Sequence, residues 1–284
     1  MHNYTLYKVG QLLVMKLPLR MTYALASFCS DVHFIFADKD RADTWQNFKT
    51  IFPDRPEKEL KKLRLAMFRN FAKYLVDFFR FPYINKEYIQ RNVKFENIEY
   101  VQEALAKKKG VIMLTAHIGN WELGGVALAQ SGYQPLWAVA LPHKTEEVNN
   151  FFNSRRESKG IRVIPFGKAA RQCFEVLRRG ELLALVGDRD FSHDAGAEID
   201  FFGKKTYFPK GPAAFALKTG AMIVPGFATR NPDNSFTLRF EKPREYAKTM
   251  SVEDVINDYK KLIEEYIRAY PDQWFMFKKF WIQK

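Results

Sequence analysis

The sequence predicts an α/β fold in which a mostly parallel central sheet carries helices on both faces and follows an N-terminal helical region. The first observation is that its strongest strand signals are continuous apolar runs rather than alternating ones, a pattern typical of parallel strands buried on both faces. These runs are 111–116, 161–165, 182–186 and 222–227. The second is that helical segments alternate with them, each expected to end at a glycine in the left-handed conformation. The glycines are Gly110, Gly160, Gly180 and Gly220.

The chain divides by pattern into residues 1–90, predicted to be wholly helical, and residues 91–284, predicted to be an α/β domain with a C-terminal helix. The clearest N-terminal element is 57–80, where large apolar residues recur every three or four positions and basic residues lie mostly elsewhere. This spacing predicts an amphipathic helix.

Residues 4–36 are rich in apolar side chains, but Lys16, Pro18, Arg20 and Asp31 interrupt them. A membrane-spanning helix needs about 20 consecutive, predominantly apolar residues, so none is predicted here. Two interpretations remain open: helices packed on the core, or an in-plane membrane anchor with its basic side chains at the level of the lipid headgroups.

Three further elements follow from local signals. Residues 121–130 form a short apolar run after Gly119 and predict a helix. Residues 235–241 alternate after a polar turn, so they predict an edge strand in a hairpin. Ser251 with Asp254 resembles a capping box at the start of the last helix.

Composition restricts the partners. Lys and Arg total 45 against 32 acidic residues, a net charge of +13, so anionic partners are expected. The basic residues are scattered and no nucleic-acid recognition module is evident, so nucleic acid is not expected. The 26 Phe, 13 Tyr and 5 Trp favour a membrane surface, because aromatic rings beside cations suit an interface that is wet on one side. Cys29 and Cys173 lie far apart and suggest neither a disulfide framework nor a metal site.

His117 and Glu122 are the candidate catalytic pair. His117 follows the strand 111–116, and the crevice outside the carboxyl ends of parallel strands is where ligands bind in such sheets. A turn between the two residues would fold the carboxylate onto the imidazole, fixing its tautomer and supporting proton uptake near neutral pH. Because the chain has no Gly-x-Ser-x-Gly elbow, the pair would act on a bound hydroxyl. A histidine that is merely satisfied at a strand end fits the same two residues equally well.

The string His117-Ile118-Gly119-Asn120-Trp121-Glu122 resembles the His-x4-Asp/Glu motif of the bacterial lipid A biosynthesis acyltransferase family. Other blocks of that family follow in the same order, and the likeness runs from about residue 17 to residue 281. They are Asn149 with Arg155-Arg156, Gly187-Asp188-Arg189-Asp190, Lys210-Gly211-Pro212-Ala213 and Tyr270-Pro271-Asp272-Gln273-Trp274-Phe275.

The resemblance implies transfer of a fatty acyl group from a thioester of acyl carrier protein or coenzyme A to a hydroxyl of a glycolipid, with no cofactor or metal. His117 would be the general base and Glu122 the residue that orients it. The substrate-binding residues implied are Asn120, Asn149, Arg156, Asp188, Arg189, Asp190, Lys210 and Gly211. The implied location is the cytoplasmic face of the inner membrane, with peripheral or weak anchoring and anionic lipid as a partner.

Four of these residues also have physical reasons to bind substrate. The guanidinium of Arg156 can hold a phosphate or a sugar. Arg189 follows the strand 182–186, so it lies at the same edge as His117. Lys210 and Gly211 open a helix whose N-terminus suits an anion.

The acceptor and the class of protein stay open at this point. The chain reads Leu141-Pro142-His143-Lys144 where the family usually has Arg-Pro, so a phosphatidylinositol mannoside or another phospholipid competes with a lipid A precursor as acceptor. A non-enzymatic protein that binds anionic lipid is the alternative from a different class, and a hydrolase that activates water with the same pair is a third.

Overall fold

In the computed structural model, the described residues are 2–142, 145–166, 169–190 and 196–282, so His143, Lys144 and His193 lie outside them. The helices within these ranges are α1 (His2–Lys16), α2 (Leu19–Phe36), α3 (Asp38–Ile51), α4 (Glu57–Phe79), α5 (Lys86–Asn92), α6 (Glu99–Ala106), α7 (Trp121–Gln130), α8 (Glu146–Glu157), α9 (Ala169–Arg178), α10 (Gly211–Thr219) and α11 (Val252–Ala269). The strands are β1 (Val93–Glu96), β2 (Val111–Thr115), β3 (Leu136–Ala140), β4 (Ile161–Pro165), β5 (Leu182–Val186), β6 (Ala197–Phe201), β7 (Lys204–Phe208), β8 (Met222–Arg230) and β9 (Phe236–Phe240).

Seven strands form one sheet in the order β1-β9-β8-β2-β5-β3-β4, and β6 and β7 form a separate antiparallel hairpin. The five strands β8, β2, β5, β3 and β4 are parallel, whereas β9 runs antiparallel to β8 and β1 runs parallel to β9. The predicted α/β fold with a mostly parallel sheet is therefore confirmed.

The helices cover both faces of the sheet, as the continuous apolar runs predicted. Along β2, Val111 and Met113 join the cluster that contains Val126 of α7. Ile112 and Leu114, which point the other way, join the cluster of α9, α10 and α11. All four side chains are buried because successive residues of a strand face opposite layers.

The predicted helical N-terminal region is also confirmed, since α1 to α5 occupy residues 2–92. Among the described side chains of α1 and α2, nine large apolar ones are exposed, and we call this set the N-terminal apolar face. Its members are Val9, Leu12, Leu13, Met21, Leu25, Phe28, Val32, Ile35 and Phe36. None of the helices found among the described residues has the length and apolar content needed to cross a membrane.

The left-handed conformation of the four predicted glycines and the capping box are confirmed. All four glycines have positive φ, between 74° and 87°, but only Gly220 is itself the C-cap of its helix; α6, for example, ends at Ala106, before Gly110. At Gly110 a side chain is also excluded by packing, because a Cβ there would lie 2.3 Å from the carbonyl oxygen of Leu177. Ser251 and Asp254 exchange both bonds of a capping box at the start of α11.

The edge-strand prediction for 235–241 is wrong. β9 does pair with β8 in a hairpin, but β1 covers its other side and is itself the edge strand. β1 has only four residues, too few for its pattern to be distinguished from a loop. β3, β6 and β7 were likewise not predicted; β3 is the least buried strand of the parallel block apart from the edge strand β4.

Candidate active site

His117 and Asp188 meet just beyond the carboxyl ends of two neighbouring strands. β2 and β5 are paired up to Thr115 and Val186, and the N–H of Gly187 donates to the carbonyl oxygen of Thr115 at 2.8 Å. This register places the imidazole Nδ1 of His117 2.7 Å from Oδ1 of Asp188, which also accepts the backbone N–H of His117 at 3.2 Å. The sequence predicted Glu122 at this position, and the structure gives it to Asp188.

Asp188 is fully buried, and its second oxygen accepts the indole N–H of Trp274 at 3.0 Å. Burial raises the pKa of Asp188, but the positive charge and hydrogen bond of His117, with smaller contributions from Arg189 and Trp274, outweigh burial and lower it to about 2. The carboxylate is therefore ionised at neutral pH and is an acceptor for a hydrogen bond from Nδ1 of the imidazole.

The turn that carries His117 is fixed by the C-terminal segment. The N–H of Gly119 donates to the carbonyl oxygen of Gln273 at 2.8 Å, and the N–H of Phe275 donates to the carbonyl oxygen of His117 at 3.0 Å. Gly119 has φ of 62°, and a Cβ there would lie 2.1 Å from the carbonyl oxygen of Ala228. Only glycine permits this close approach of the turn to β8.

Glu122 forms an ion pair with Arg156. The Arg156 Nη2 lies 2.6 Å from Oε1 of Glu122, and its Nε lies 3.0 Å from Oε2. Because Glu122 is in the first turn of α7 and Arg156 is in the last turn of α8, the pair joins two helices on the same face of the sheet. Both side chains are largely buried, with 11% and 14% exposed.

Asn120, which the resemblance placed among the substrate-binding residues, is 1% exposed. Its Oδ1 caps α7 by accepting the N–H of Leu123 at 3.0 Å, and its Nδ2 donates to Asp77 at 2.9 Å. Asp77 also accepts hydrogen bonds from Tyr23 of α2 and Arg230 of β8. The side chain of Asn120 thus shapes the turn and ties it to the N-terminal helices.

A cavity of about 620 Å³ opens beside His117, between β3 and β5. The pairing of these strands stops at Ala138 and Ala184, whereas β5 and β2 stay paired for two residues more. The strands therefore diverge at their carboxyl ends, and apolar side chains line most of the resulting space. Its polar or charged lining residues are Tyr74, Thr115, His117, Glu122, Arg156, Arg189, Asp190 and Lys210.

Arg189 lines the cavity on the His117 side. One guanidinium nitrogen donates to the carbonyl oxygen of Phe275, while its Nε is buried and has no hydrogen-bond partner among the described residues. Burial lowers the pKa of this group, and the nearby Asp188 and Tyr74 oppose that effect. Arg189 remains a cation, since an arginine side chain keeps its proton in proteins.

The remaining predicted residues divide into two groups. Asp190, Lys210 and Gly211 line the cavity, with Gly211 at the first position of α10. The Asp190 carboxylate also accepts the N–H of Gly196 at 3.0 Å. Asn149 lies on α8, two turns before Arg156, and is not among the described residues that line this cavity.

Two aromatic residues contribute to the site in ways that the sequence did not suggest. Tyr74 stacks on Trp121, with ring centroids 4.5 Å apart, and lines the cavity next to the Glu122 and Arg156 pair. It was predicted only as part of an amphipathic helix. Trp274 is 2% exposed and donates its indole N–H to Asp188, whereas the sequence identified it only as part of a block that resembles the family. The C-terminal segment is therefore packed against the site at Trp274.

The fold and site define an α/β protein whose histidine and aspartate meet at the edge of a parallel sheet, beside an apolar cavity. The model of the family described as bacterial lipid A biosynthesis acyltransferase matches residues 2–283, and the chain belongs to this family. Membership confirms the predicted family.

Relatives with two different names match the chain. It is 33% identical over 164 residues to a phosphatidylinositol mannoside acyltransferase of Mycolicibacterium smegmatis, a match that covers 56% of this chain and 53% of that protein. The chain thus spans about half the length of that relative. It is 22% identical over 240 residues to a lipid A biosynthesis acyltransferase of Haemophilus influenzae, covering 84% and 74% of the two chains. Against the lipid A biosynthesis lauroyltransferase of Escherichia coli it is 20% identical over 273 residues, covering 92% and 85%.

Proposed function

We propose that the protein transfers a fatty acyl group from a thioester, either of acyl carrier protein or of coenzyme A, to a hydroxyl of a glycolipid in the membrane. The observation that carries this proposal is the His117–Asp188 pair, whose imidazole lines a largely apolar cavity of about 620 Å³. The pair supplies a base for a hydroxyl, and a space of this size is typical of a site that buries most of a lipid-sized ligand.

In the proposed mechanism, Asp188 accepts a hydrogen bond from the Nδ1–H of His117 and stays ionised, while Nε2 takes the proton of the acceptor hydroxyl and the ring becomes an imidazolium. The acceptor oxygen attacks the thioester carbonyl and forms a tetrahedral oxyanion. When this intermediate collapses, the carbon–sulfur bond breaks and the ester forms. The leaving thiolate then receives the proton from Nε2, which returns His117 to its initial state. In this mechanism the residue that orients the base is Asp188 rather than Glu122.

Arg189 is the proposed stabiliser of the oxyanion. It lies on the same cavity wall as His117, and its buried Nε has an unused donor. A charged donor positioned where negative charge develops is worth more in a water-poor site than in bulk solvent. The N-terminus of α10, at Gly211, contributes a favourable dipole to the same cavity.

The Glu122–Arg156 pair is the proposed contact for the sugar part of the acceptor. Its charges compensate each other, so it offers both acceptor oxygens and N–H donors without attracting a net charge. The mannoside and lipid A names of the relatives both describe phosphorylated glycolipids, so we propose an acceptor of that class. Either a lipid A precursor or a phosphatidylinositol mannoside fits the proposal.

The N-terminal apolar face is the proposed membrane contact. Exposed apolar patches of this extent mark interaction surfaces, and Lys8, Lys16 and Arg20 lie on the same two helices at positions suited to anionic headgroups. We propose peripheral attachment to the cytoplasmic face of the inner membrane.

Acyl transfer from radiolabelled thioesters tests the activity. The purified protein is incubated with a glycolipid extract and acyl thioesters of acyl carrier protein or coenzyme A. The labelled products are then separated and identified by mass spectrometry. Replacing His117 by Ala should lower kcat by about 10²–10⁴-fold. Full activity of this variant contradicts the proposed base. Fatty acid release without any acceptor indicates the hydrolase instead, and lipid binding without turnover indicates the non-enzymatic alternative.

Binding to anionic vesicles tests the membrane contact. Replacing Ile35 by Glu should weaken sedimentation with the vesicles about tenfold, because a charge must then enter the interface. Ile282→Glu is the matched control, since Ile282 is also exposed but lies outside the N-terminal apolar face. An equal loss in both variants contradicts the assignment.

A further inference from the structure

We propose that Gly125 sets the length of the acyl chain that the protein accepts; this rests on the acyl transfer proposed above. The absence of a side chain at Gly125 leaves a passage at the closed end of the cavity. The terminal methylenes of the longest accepted chain occupy this passage.

The cavity reaches the middle of the sheet at this end. Ala184 is the central residue of β5, with strands on both sides and helices on both faces, yet it keeps accessible surface. Gly125 also keeps accessible surface, although its neighbours Gly124 and Val126 are buried. Since both residues line the cavity, this surface belongs to its interior.

The opposite end of the cavity is open to solvent and more polar. Leu141 and Phe166 line it there and are 37% and 45% exposed. Lys210, at the start of α10, also lines this part of the wall. A thioester donor carries its polar carrier outside the site, so the chain enters with its carbonyl at His117 and its methyl end directed towards Gly125.

A second, smaller cavity of about 50 Å³ lies directly beyond this closed end. Five residues line both cavities: Thr115, Trp121, Gly125, Leu136 and Ala184. Gly124 and Leu128 line only the small one. Its volume corresponds to about one or two chain carbons, if each occupies roughly the 30 Å³ of a water molecule in the liquid.

The backbone does not require glycine at position 125. Its φ is not positive, and the residue lies inside α7, where alanine would favour the helix more than glycine does. A Cβ added there would lie 3.4 Å from Cδ1 of Ile161 and 4.0 Å from Cδ2 of Leu136, both ordinary contacts. The added methyl would therefore be accepted by the fold but would occupy the passage.

The test uses saturated acyl thioesters whose chains increase by two carbons at a time. In Gly125→Ala, kcat/KM for the longest good donor should fall at least about tenfold relative to the donor two carbons shorter, because each methylene excluded from an apolar pocket counts for about 10–200-fold. In Leu128→Ala, which enlarges the small cavity, the preference should move towards longer chains. Gly10→Ala is the matched control, since Gly10 lies in α1 and a Cβ there meets only Phe79 at 3.5 Å.

A second measurement keeps the proposal testable without turnover. Thermal stabilisation by free fatty acids of increasing length should stop rising at a shorter length in Gly125→Ala than in the wild type or Gly10→Ala. An unchanged length preference in both measurements overturns the role of Gly125, and so does an equal loss for all lengths. If the wild type transfers no acyl group but the binding preference shifts, only the proposed transfer fails.

Discussion

Two carboxylates near the cavity, Asp188 behind His117 and Glu122 in the cavity lining, show how differently the protein uses the same functional group. Asp188 is fully buried and pairs with the imidazole of His117, the proposed general base. Glu122 is partly accessible from the cavity and pairs with Arg156, whose charge is permanent. The Asp188 side is therefore suited to moving a proton, and the Glu122 side is suited to holding a polar group in place.

The two carboxylates also show that nearness to His117 in the sequence does not predict contact with it in the structure. Glu122 is five residues from His117 in the chain, but it belongs to a helix that turns it towards α8. Asp188 is 71 positions away, and the parallel pairing of β2 with β5 brings it to the imidazole. The carboxylate in the motif and the carboxylate on the histidine are thus two different residues.

The strongest test of this comparison replaces Asp188 by Asn. The amide can donate to Nδ1 and so favours the wrong tautomer of His117, and it lacks the charge that supports the imidazolium. We expect kcat to fall by about 10³-fold, or about 4 kcal/mol of transition-state stabilisation, in the acyl transfer assay.

Glu122→Gln provides the contrast for Asp188→Asn. Its kcat should fall much less, because Glu122 does not carry the proton transfer. If the two amide variants lose kcat equally, the roles of the two carboxylates are not distinct and the comparison fails.

The next largest effect is expected in the Glu122–Arg156 pair. Removing either charge leaves the other one largely buried without compensation, and breaking a buried pair costs about 3 kcal/mol of the free energy of unfolding. Urea denaturation of Glu122→Gln and Arg156→Gln should show this loss. The double variant should recover most of it, because no uncompensated charge remains.

The acceptor KM gives an independent measure of the same pair. It should rise in the double variant, although that variant is stable, because the proposed sugar contact is gone. An unchanged KM in a stable double variant would leave the pair with a purely structural role.

The sequence predicted the fold well where a short segment of residues determines its own secondary structure and burial. Buried parallel strands are continuous apolar runs, and the end of α10 at Gly220 requires a left-handed residue, so both features can be recognised from a single segment of sequence. β1 was not predicted because four residues are too few to show the alternation of a strand. Its position beside β9 depends on pairing with a segment far away in the sequence.

The same distinction applies to the site. Placing His117, Arg189 and Gly211 at one edge needed only the rule that parallel strands end together, and all three line the cavity. The partner of His117 needed the exact register of β2 with β5 and the position of Trp274, neither of which is a local property. Asn120 is the opposite case: it lies close to His117 in the sequence motif, but its side chain caps α7 and does not line the cavity.

The smallest expected effect is the pH dependence that the Asp188 carboxylate gives to the free energy of unfolding. Burial raises the pKa of Asp188, but the charge and hydrogen bond of His117 outweigh it, so the folded-state pKa is about 2, against about 3.9 for an unfolded aspartate. This lowered pKa stabilises the fold by about 2 kcal/mol above pH ~4, and the contribution is lost as the pH falls towards ~2. Denaturation of the wild type between these pH values should show this loss, and Asp188→Asn should lack it, because an amide does not titrate. Equal slopes for the two proteins would mean that the carboxylate titrates alike in the folded and unfolded chain, and would remove the electrostatic distinction between Asp188 and an exposed carboxylate.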